Sequence, residues 1–439
     1  MRQVFAVSLF SLLLAGAPAA AQEPKPALVP ARLSLVEAVR LGRTQAVSAV
    51  LAGYNARLAD ERQGQRRADL LPVIAGSARY NYQTLNFDEF GLPNVSGVTP
   101  PFSLWSFQLR ATQSIYDASI WARTEAASDS AKAAGLDAVT AGELAGLTAG
   151  VAYVRVLGAS EAVTARLADS AIAIDLLDQS RQLVLSGVSP PIDSTRSSVN
   201  FAAVGTQLVI ARNQQDRSRL ELARALDLPP SAAIELTDSL APSDETIPAD
   251  ADSAVAFALA HRPEVQAERQ RLEASERSLK AIKYENLPSI GATGQYTESG
   301  KTLDVVNNSY SVGVGINIPI FDGLKRQDRA GEQSARVDAQ RLRLHDAERQ
   351  VETETRQSLL DMSAARQQVG LAQTRLRLAT LELDQAEERF KAGIASSIET
   401  TNAQLSVVTA RDVLIQARVA LGVARLSAYR ALGILNDLR

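Results

Sequence analysis

The side chains that most often carry out catalysis are scarce in this chain. The sequence contains two histidines, His261 and His345, and no cysteine. His261 precedes Arg262-Pro263 near an expected helix start, and His345 lies in a charged helical run, so we expect both at the surface. The sequence has no glycine-rich phosphate loop and no nucleophile elbow. Without cysteine, neither disulfides, nor thiolate metal sites, nor a lipidated N-terminal cysteine are expected.

Carboxylates are frequent, but their spacing is that of helix surfaces. The pairs Glu352/Glu354 and Glu387/Glu388 lie among Arg and Lys, which is typical of solvated helical faces. The net charge of −3 is too small to indicate nucleic acid. The sequence therefore predicts that the protein is not an enzyme, holds no cofactor or metal ion, and has no nucleic-acid partner.

The first 21 residues have the pattern of a secretory signal peptide. An apolar run from Val4 to Leu14 follows Arg2, and small residues end at Ala21. We expect the mature protein to be exported. After this segment no apolar run reaches the roughly 20 residues that a membrane-spanning helix needs. The chain is therefore predicted to be soluble or to cross a membrane as strands.

The rest of the chain is a tandem repeat. Leu-Leu-Pro-Val-Ile at 70–74 returns as Asn-Leu-Pro-Ser-Ile at 286–290, and Ser-Ile-Tyr-Asp at 114–117 is answered by Pro-Ile-Phe-Asp at 319–322. Each half is predicted to run helix, strand, strand, long helix, glycine-marked turn, helix. The predicted organisation is a signal peptide at 1–21, a first repeat at 22–248 and a second repeat at 249–439.

Each half contains two predicted strands with one apolar side. Alternation is clean in 309–318 and in 103–113, and similar strands follow the Leu-Pro sites. Such strands suit a membrane barrel with lipid outside and water inside, although a half-buried soluble sheet gives the same pattern. The residues assigned to the lipid-facing side are Tyr310, Val312, Val314, Ile316, Trp105 and Phe107.

Four strands are too few to close a membrane barrel. Bacterial barrels begin near eight strands, and open strand edges are not tolerated in lipid. If the strands cross a membrane, several copies of the chain must pool them. The connection at 84–101 is longer than the one at 298–308, as expected of exposed tips.

The remaining sequence predicts very long helices. Residues 322–392 contain no proline, so an unbroken helix there would extend roughly 100 Å. Helices are also predicted at 34–69 and 252–285. A coiled-coil seam is predicted from two heptad series, Val369, Leu376, Leu383, Phe390 and Ala365, Ala372, Ala379, Ala386, and the return helix has a series of its own, Val408, Ile415, Gly422, Tyr429.

Two glycines mark the turns of helical hairpins. Gly393 follows Phe390-Lys391, which places a cation in the last turn of the outgoing helix. Gly187 occupies the same place in the first half, where Pro190-Pro191 closes the turn.

These features together resemble the TolC family of outer-membrane efflux proteins. The resemblance rests on the double repeat, the Leu-Pro strand entries, Ile-Phe-Asp-Gly at 320–323 and Glu-Arg-Phe-Lys-Ala-Gly-Ile at 388–394. It implies a mainly helical chain with membrane strands: a long α-helical coiled-coil barrel, plus four strands per chain contributed to a trimeric twelve-stranded outer-membrane β-barrel. It also implies the outer membrane of a Gram-negative bacterium, with helices extending into the periplasm.

The resemblance further implies a function and partners. The expected function is a gated exit duct of a tripartite efflux or type I secretion system, which conducts substrates passively. The expected partners are two more copies of the chain in a homotrimer, a periplasmic adaptor (membrane fusion) protein, an inner-membrane transporter and outer-membrane lipid. The exported substrate and the class of transporter cannot be read from the sequence.

Candidate site residues follow from the same resemblance. Glu399 matches an acidic position of the family's periplasmic aperture, and Asn402 stands where a second acid often occurs, which argues against a double acidic ring. Glu399 can equally be a carboxylate that stabilises the start of its helix. Asp193 and Arg196 are the first-half counterparts, expected to form pairs between hairpins. The tips at Gly187 and Gly393 are expected to dock the adaptor.

A second class of protein also fits part of the sequence. A soluble periplasmic coiled-coil scaffold or adaptor would explain the signal peptide and the heptads. It would not explain four strands with apolar sides and no other core to cover them. Resistance of the protein to extraction without detergent separates the two classes.

Overall fold

The computed structural model describes residues 32–90, 96–240, 250–392, 394 and 397–435. Long helices dominate this part of the chain. The helices are α1 Leu35–Gln45, α2 Val47–Ala68, α3 Ala118–Leu185, α4 Pro191–Ala225, α5 Ala251–His261, α6 Pro263–Tyr284, α7 Lys325–Lys391 and α8 Ser397–Leu432, with a short 3₁₀ helix at Phe87–Phe90. The strands are β1 Arg32–Leu33, β2 Val73–Gln83, β3 Phe102–Tyr116, β4 Glu235–Leu236, β5 Ser289–Thr302 and β6 Val305–Asn317.

The same order of elements occurs twice. Two helices, two long strands and a helical hairpin make up α1 to α4, and α5 to α8 repeat that order. The position of the boundary between the two repeats, predicted at 248/249, remains a prediction because residues 241–249 lie outside the described part.

The first helical segment of each half is broken, whereas the sequence predicted unbroken helices at 34–69 and 252–285. In the second half Arg262 has an extended ψ of 123° because Pro263 disfavours helical geometry at the residue before it. In the first half Ala46 adopts a similar ψ of 136°, but no proline follows it, so no residue in the local sequence indicates this break. The first helix begins at a capping box in which Ser34 and Glu37 bond each other's backbone N–H groups.

The four long strands form one antiparallel sheet in the order β2-β3-β5-β6. The central pair, β3 with β5, therefore joins the two halves of the chain. β5 and β6 continue to Thr302 and Val305, which pair across a two-residue turn. The predicted connection at 298–308 is therefore wrong, because Glu298 pairs with Asn308 inside the ladder. The connection between β2 and β3 is longer than the one between β5 and β6, as predicted. The difference is larger than expected because the second connection has only two residues.

The largest apolar core lies where the two-residue strands β1 and β4 pair in parallel. These short strands were not predicted. Tyr153 of α3 is fully buried there, and its hydroxyl lies 2.9 Å from the carbonyl oxygen of Leu33 and 3.0 Å from a carboxylate oxygen of Asp238. Burial raises the pKa of Tyr153 to about 12. The tyrosine hydroxyl thus connects Leu33, near the start of the described chain, to Asp238 in the segment that follows α4.

The helices pair as hairpins, α3 with α4 and α7 with α8. The predicted α7 seam is confirmed, since every residue of its two heptad series is buried except Leu376, which is partly buried. The heptad series of α8 does not form the α7 seam, because the α8 residues of that seam lie one position earlier. The residues that pack on α7 are Ala403, Val407, Ala410, Leu414, Ala417, Ala424 and Ala428.

Gly422 and Tyr429 of this series instead lie against α3. A Cβ built on Gly422 would lie 2.9 Å from a methyl carbon of Val154, and one built on Gly158 would lie 2.4 Å from a methyl carbon of Val419. Glycine at both positions therefore lets α3 and α8 approach more closely than side chains would permit. The second apolar stripe of α8 exists because the helix packs on two neighbours.

None of the described helices combines the length and the apolar character needed to cross a membrane.

Candidate functional site

The sheet places all six residues assigned to the lipid-facing side on one face. Trp105 lies opposite Tyr80, and its neighbour on the same side of β3, Leu109, lies opposite Tyr296. Tyr296 in turn lies opposite Tyr310, so the apolar sides of all four strands coincide. In the single chain Tyr310 and Val312 are each 83% exposed. Contact of this apolar face with lipid stays a prediction.

The tip of the first hairpin is built as predicted around Gly187. This glycine has a φ of +74°, a left-handed conformation that disfavours other residues. The amide of Val188 donates to the carbonyl of Leu183 at 2.9 Å, and the amide of Gly187 donates to Val184 at 3.1 Å. These bonds satisfy carbonyls at the end of α3, and Pro191 then starts α4.

The tip of the second hairpin is partly described. Gly393 lies outside the described residues, so its predicted turn conformation stays a prediction. The amide of Ile394 donates to the carbonyl of Arg389 at 3.0 Å, which is the same six-residue closure that Val188 makes with Leu183.

Both tips expose large apolar side chains. Leu185 is 80% exposed, Val188 64% and Ile394 74%. Ile192 and Ile398 are also exposed, one in the first turn of each returning helix. Exposed apolar side chains grouped in this way are a common sign of a protein interface.

Glu399 lies in the first turn of α8 and pairs with the end of α7. Its carboxylate oxygen lies 3.1 Å from Nε of Arg389, and both side chains are about half exposed. The position also lets the carboxylate stabilise the N-terminus of α8. Asn402 is exposed three residues later and so lies on the same side of the helix.

Asp193 is buried between the two hairpins. It accepts a hydrogen bond of 2.6 Å from the hydroxyl of Ser397, the first residue of α8. Arg196 lies 3.8 Å from the same carboxylate but belongs to the same helix, three residues on. Asp193 thus bonds to the second hairpin, whereas the described ion pair of Arg196 runs along α4. The expected pairs of these two residues between hairpins stay a prediction.

Further polar contacts join α8 to the first hairpin, and the sequence did not reveal them. The amide of Asn200 on α4 donates to Gln404 on α8 at 2.8 Å. Asp169 on α3 is almost completely buried and pairs with Arg166 at 2.8 Å and with Arg411 of α8. Arg166 also pairs with Asp412. Burial raises the pKa of Asp169, although Arg411 and Arg166 oppose that shift.

We name these contacts the hairpin clasp: Asp193–Ser397, Asn200–Gln404, and the group Arg166, Asp169, Arg411 and Asp412. Ser397 and Gln404 lie beside Glu399 in the stretch that resembles the family aperture, so proximity in sequence could have indicated them. Arg166 and Asp169 have the spacing of an exposed helical pair, so nothing in their local sequence marks them as buried.

Comparison with known proteins identifies the family. A family model described as outer membrane efflux protein matches residues 41–227 and 255–434. The match spans most of the chain, so the chain belongs to the outer membrane efflux protein family. Its location is the outer membrane of a Gram-negative bacterium. Proteins of this family are transport ducts and not enzymes, as the scarcity of catalytic side chains predicted.

Individual relatives support this assignment. The outer membrane efflux protein BepC of Brucella suis is 26% identical over 250 residues, which are 55% of this chain and 54% of BepC. The chain thus spans about half the length of that relative. The outer membrane protein TolC of Escherichia coli is 23% identical over 394 residues, covering 86% of this chain and 77% of TolC.

The fold is also that of a solved structure. The outer membrane protein VceC of Vibrio cholerae superimposes with a TM-score of 0.79 at 16% sequence identity, over 91% of this chain and 96% of VceC. The predicted fold class, long helices joined to four strands per chain, is confirmed.

Proposed function

We propose that the chain is the exit duct of a tripartite efflux or type I secretion system and acts as a homotrimer. In this assembly three chains each give four strands to one twelve-stranded barrel, and their helices form a tunnel into the periplasm. The observation that carries the proposal is the open-edged sheet with an exposed apolar face, continuous with two helical hairpins that begin with helices of 68 and 67 residues.

The sheet supports pooling of strands between chains. β2 and β6 are its edges, and each has unpaired backbone groups on one side. In hydrocarbon each unsatisfied backbone group costs several kcal/mol, so edges must be paired before the sheet enters a membrane. Pairing β6 of one chain with β2 of the next removes every edge when the ring closes. The number three comes from the family resemblance.

The helices support a long periplasmic tunnel. At 1.5 Å per residue, α3 and α7 are each about 100 Å long. The hairpin tips then lie far from the sheet, where the exposed Leu185, Val188 and Ile394 suit docking of an adaptor protein. An inner-membrane transporter would supply the energy, because a duct without catalytic groups conducts passively.

The second hairpin is the proposed gate. Glu399 lies at its tip, where three copies would bring three carboxylates into a narrow water path and favour cations. The hairpin clasp holds this hairpin against the first one, so release of the clasp would let the α7–α8 tip move outward. The clasp residues and Glu399 thus have separate roles, one in holding the aperture and one in selecting ions.

Two measurements test the duct. Light scattering of the detergent-extracted protein, with the detergent contribution subtracted, is expected to give the mass of three chains. The same preparation is expected to produce discrete current steps in a planar lipid bilayer. A monomer that is soluble without detergent and produces no current would reject the duct and favour a periplasmic scaffold.

The assignment of the apolar face is tested by a matched pair of variants. Val314 and Ser311 both lie on β6 but on opposite faces of the sheet. Val314→Arg is expected to impair insertion by about 2–4 kcal/mol per chain if the site lies near the bilayer midplane. Ser311→Arg should insert normally, because its side faces water. Equal yields of both variants in the outer membrane would reject the assignment.

A further inference from the structure

The charged residues of the sheet are unevenly divided between its two faces. The four long strands contain four charged residues among their described positions, Arg79, Arg110, Glu298 and Lys301. Glu298 lies opposite Phe107, and so belongs to the apolar face, where the hydroxyl of Tyr296 donates to it at 2.8 Å. The strand residues of the opposite, polar face therefore include no carboxylate.

The polar face carries the positive charges. Arg110 lies opposite Gln295, and Arg79 lies opposite Ser106. Alternation along β3 puts Ser106 and Arg110 on the same side, so both arginines are on the polar face. Lys301 lies beyond the regular register near the outer turn, with its Nζ 5.5 Å from the ring centroid of Phe102. Phe102 shares the side of Arg110 by the same alternation.

Arg110 is held without being neutralised. Its guanidinium donates to Oε1 of Gln295 at 3.0 Å, which is a neutral acceptor on the neighbouring strand. Both Arg110 and Arg79 are exposed in the single chain. A guanidinium that is positioned by a neutral amide keeps its full charge and spare N–H donors for a solute.

The two arginines lie at different positions along the sheet. Ser106, the partner of Arg79, is four residues from Arg110 on β3, which corresponds to about 13 Å along the strand. A solute that moves along the polar face would therefore meet the arginines in succession. The acids Asp88 and Asp304 lie in the outer connections, beyond the strand ends.

We propose that the polar face of the sheet binds anionic solutes carrying two or more phosphate, sulfate or carboxylate groups. The inference rests on the proposed function, since three copies of this face line the interior of the barrel. Rings of Arg and Lys are the usual means by which pores favour anions and phosphates. The barrel would then bind anions, whereas the Glu399 ring at the far end of the duct favours cations.

The test uses the full-length trimer in a planar bilayer, with inorganic tripolyphosphate as the probe. Added on the side of the barrel, tripolyphosphate is expected to block the current at a voltage that drives anions inward, and more weakly at higher salt. Arg110→Gln is expected to raise the half-blocking concentration about tenfold, the effect of losing one charge-assisted contact. Arg181→Gln, an exposed arginine near the hairpin tips, is the control and should leave the block unchanged.

A second variant keeps the test decisive if loss of the Arg110–Gln295 bond disturbs the sheet. Arg79→Gln removes the other charge without touching that bond and should also weaken the block. Arg110→Lys keeps the positive charge and should therefore retain most of the block by tripolyphosphate. Current steps that tripolyphosphate blocks equally in wild type and both Gln variants, or does not block, would overturn the anion site alone. A preparation without current steps would reject the duct and this inference together.

Discussion

The two long helices α3 and α7 are nearly equal in length, 68 and 67 residues, but their surroundings differ. α3 packs against α1, α2, α4, α6 and α8, whereas α7 packs against α5, α6 and α8. Towards its C-terminal end, α7 keeps α8 as its partner within the described chain. α3 therefore packs on more of the described helices than α7 does, and the far half of α7 is joined to α3 through α8.

If the second hairpin is the gate, as proposed, this difference explains how one repeated sequence would give a stationary hairpin and a movable one. The tips of both hairpins close with the same backbone hydrogen bond. They differ in how they are held. The second hairpin is joined to the first by the hairpin clasp, which connects α8 to α3 and α4. Changes in the clasp, in the tips and in the buried charges of α3 should therefore have unequal effects.

The largest effect is expected from the centre of the clasp. Asp169→Ala leaves Arg411 without its buried carboxylate, which should weaken the hold of α8 on α3 by about 3–5 kcal/mol. Hydrogen exchange of α8 amides should accelerate, and the bilayer current should rise. The control is Asp178→Ala, which removes an exposed pair with Arg181 and should cost less than about 1 kcal/mol. Unchanged exchange in α8 would show that the clasp does not hold the hairpin.

The next effect is expected at the tip of the first hairpin. Gly187 has a φ of +74° and open space around it, so Gly187→Ala should destabilise the turn by roughly 1–2 kcal/mol through its backbone alone. Gly205→Ala, in the middle of α4 and also in open space, should instead stabilise its helix by about 0.4–1 kcal/mol. Melting temperatures that shift in the same direction would contradict the role given to Gly187.

A smaller, pH-dependent effect is expected from Glu143, a buried residue of α3. Its Oε2 has no hydrogen-bond partner among the described residues, and burial, aided by Glu264, raises its pKa. A raised carboxyl pKa stabilises the fold below the ordinary value of about 4.3, and this stability is lost as the pH rises through the raised pKa. Glu143→Gln should therefore raise the melting temperature at pH 7.5 and leave it nearly unchanged at pH 4.

The control for that measurement lies on the other long helix. Glu332 of α7 is well exposed and pairs with Arg336 of the same helix. Glu332→Gln should change the melting temperature little at either pH. A gain for Glu143→Gln that is equal at both pH values would point to packing and not to titration.

The smallest effect on stability is expected at the tip of the second hairpin, the proposed gate. Glu399→Gln removes an ion pair whose partners are both about half exposed, worth less than about 1 kcal/mol. Its effect should appear in the reversal potential, as a lower preference for cations. Glu388→Gln removes the same charge from a more exposed position nearby and should leave the reversal potential unchanged. Equal shifts in the two variants would remove Glu399 from ion selection.

Much of the fold could be predicted because it depends on periodicity. Alternation located the apolar side of the strands, and heptads located the α7 seam, since a strand or a coiled coil must repeat its buried positions. The break at Arg262 could have been anticipated from Pro263. The break at Ala46 and the pair β1–β4 depend on contacts between distant segments, which no local pattern carries.

The candidate site was less predictable for a related reason. Gly187 could be found because a turn requires an unusual backbone conformation. Asp169 could not, because its importance comes from Arg411, which lies 242 residues away in the sequence. A buried ion pair and an exposed one have the same residue types at the same spacing, and only tertiary packing distinguishes them.

With the second hairpin as the proposed gate, the close approach of Gly422 to Val154 would give α8 the properties of a lever. The Val154 side chain lies directly against the Gly422 backbone, so this level of α8 would serve as the fulcrum of the second hairpin. From Gly422 to Ser397 the helix extends about 38 Å, so a tilt of roughly 5° at the fulcrum would displace the tip by about 3 Å. An aperture formed by three such arms would widen by that amount on every side, which is about the diameter of a water molecule.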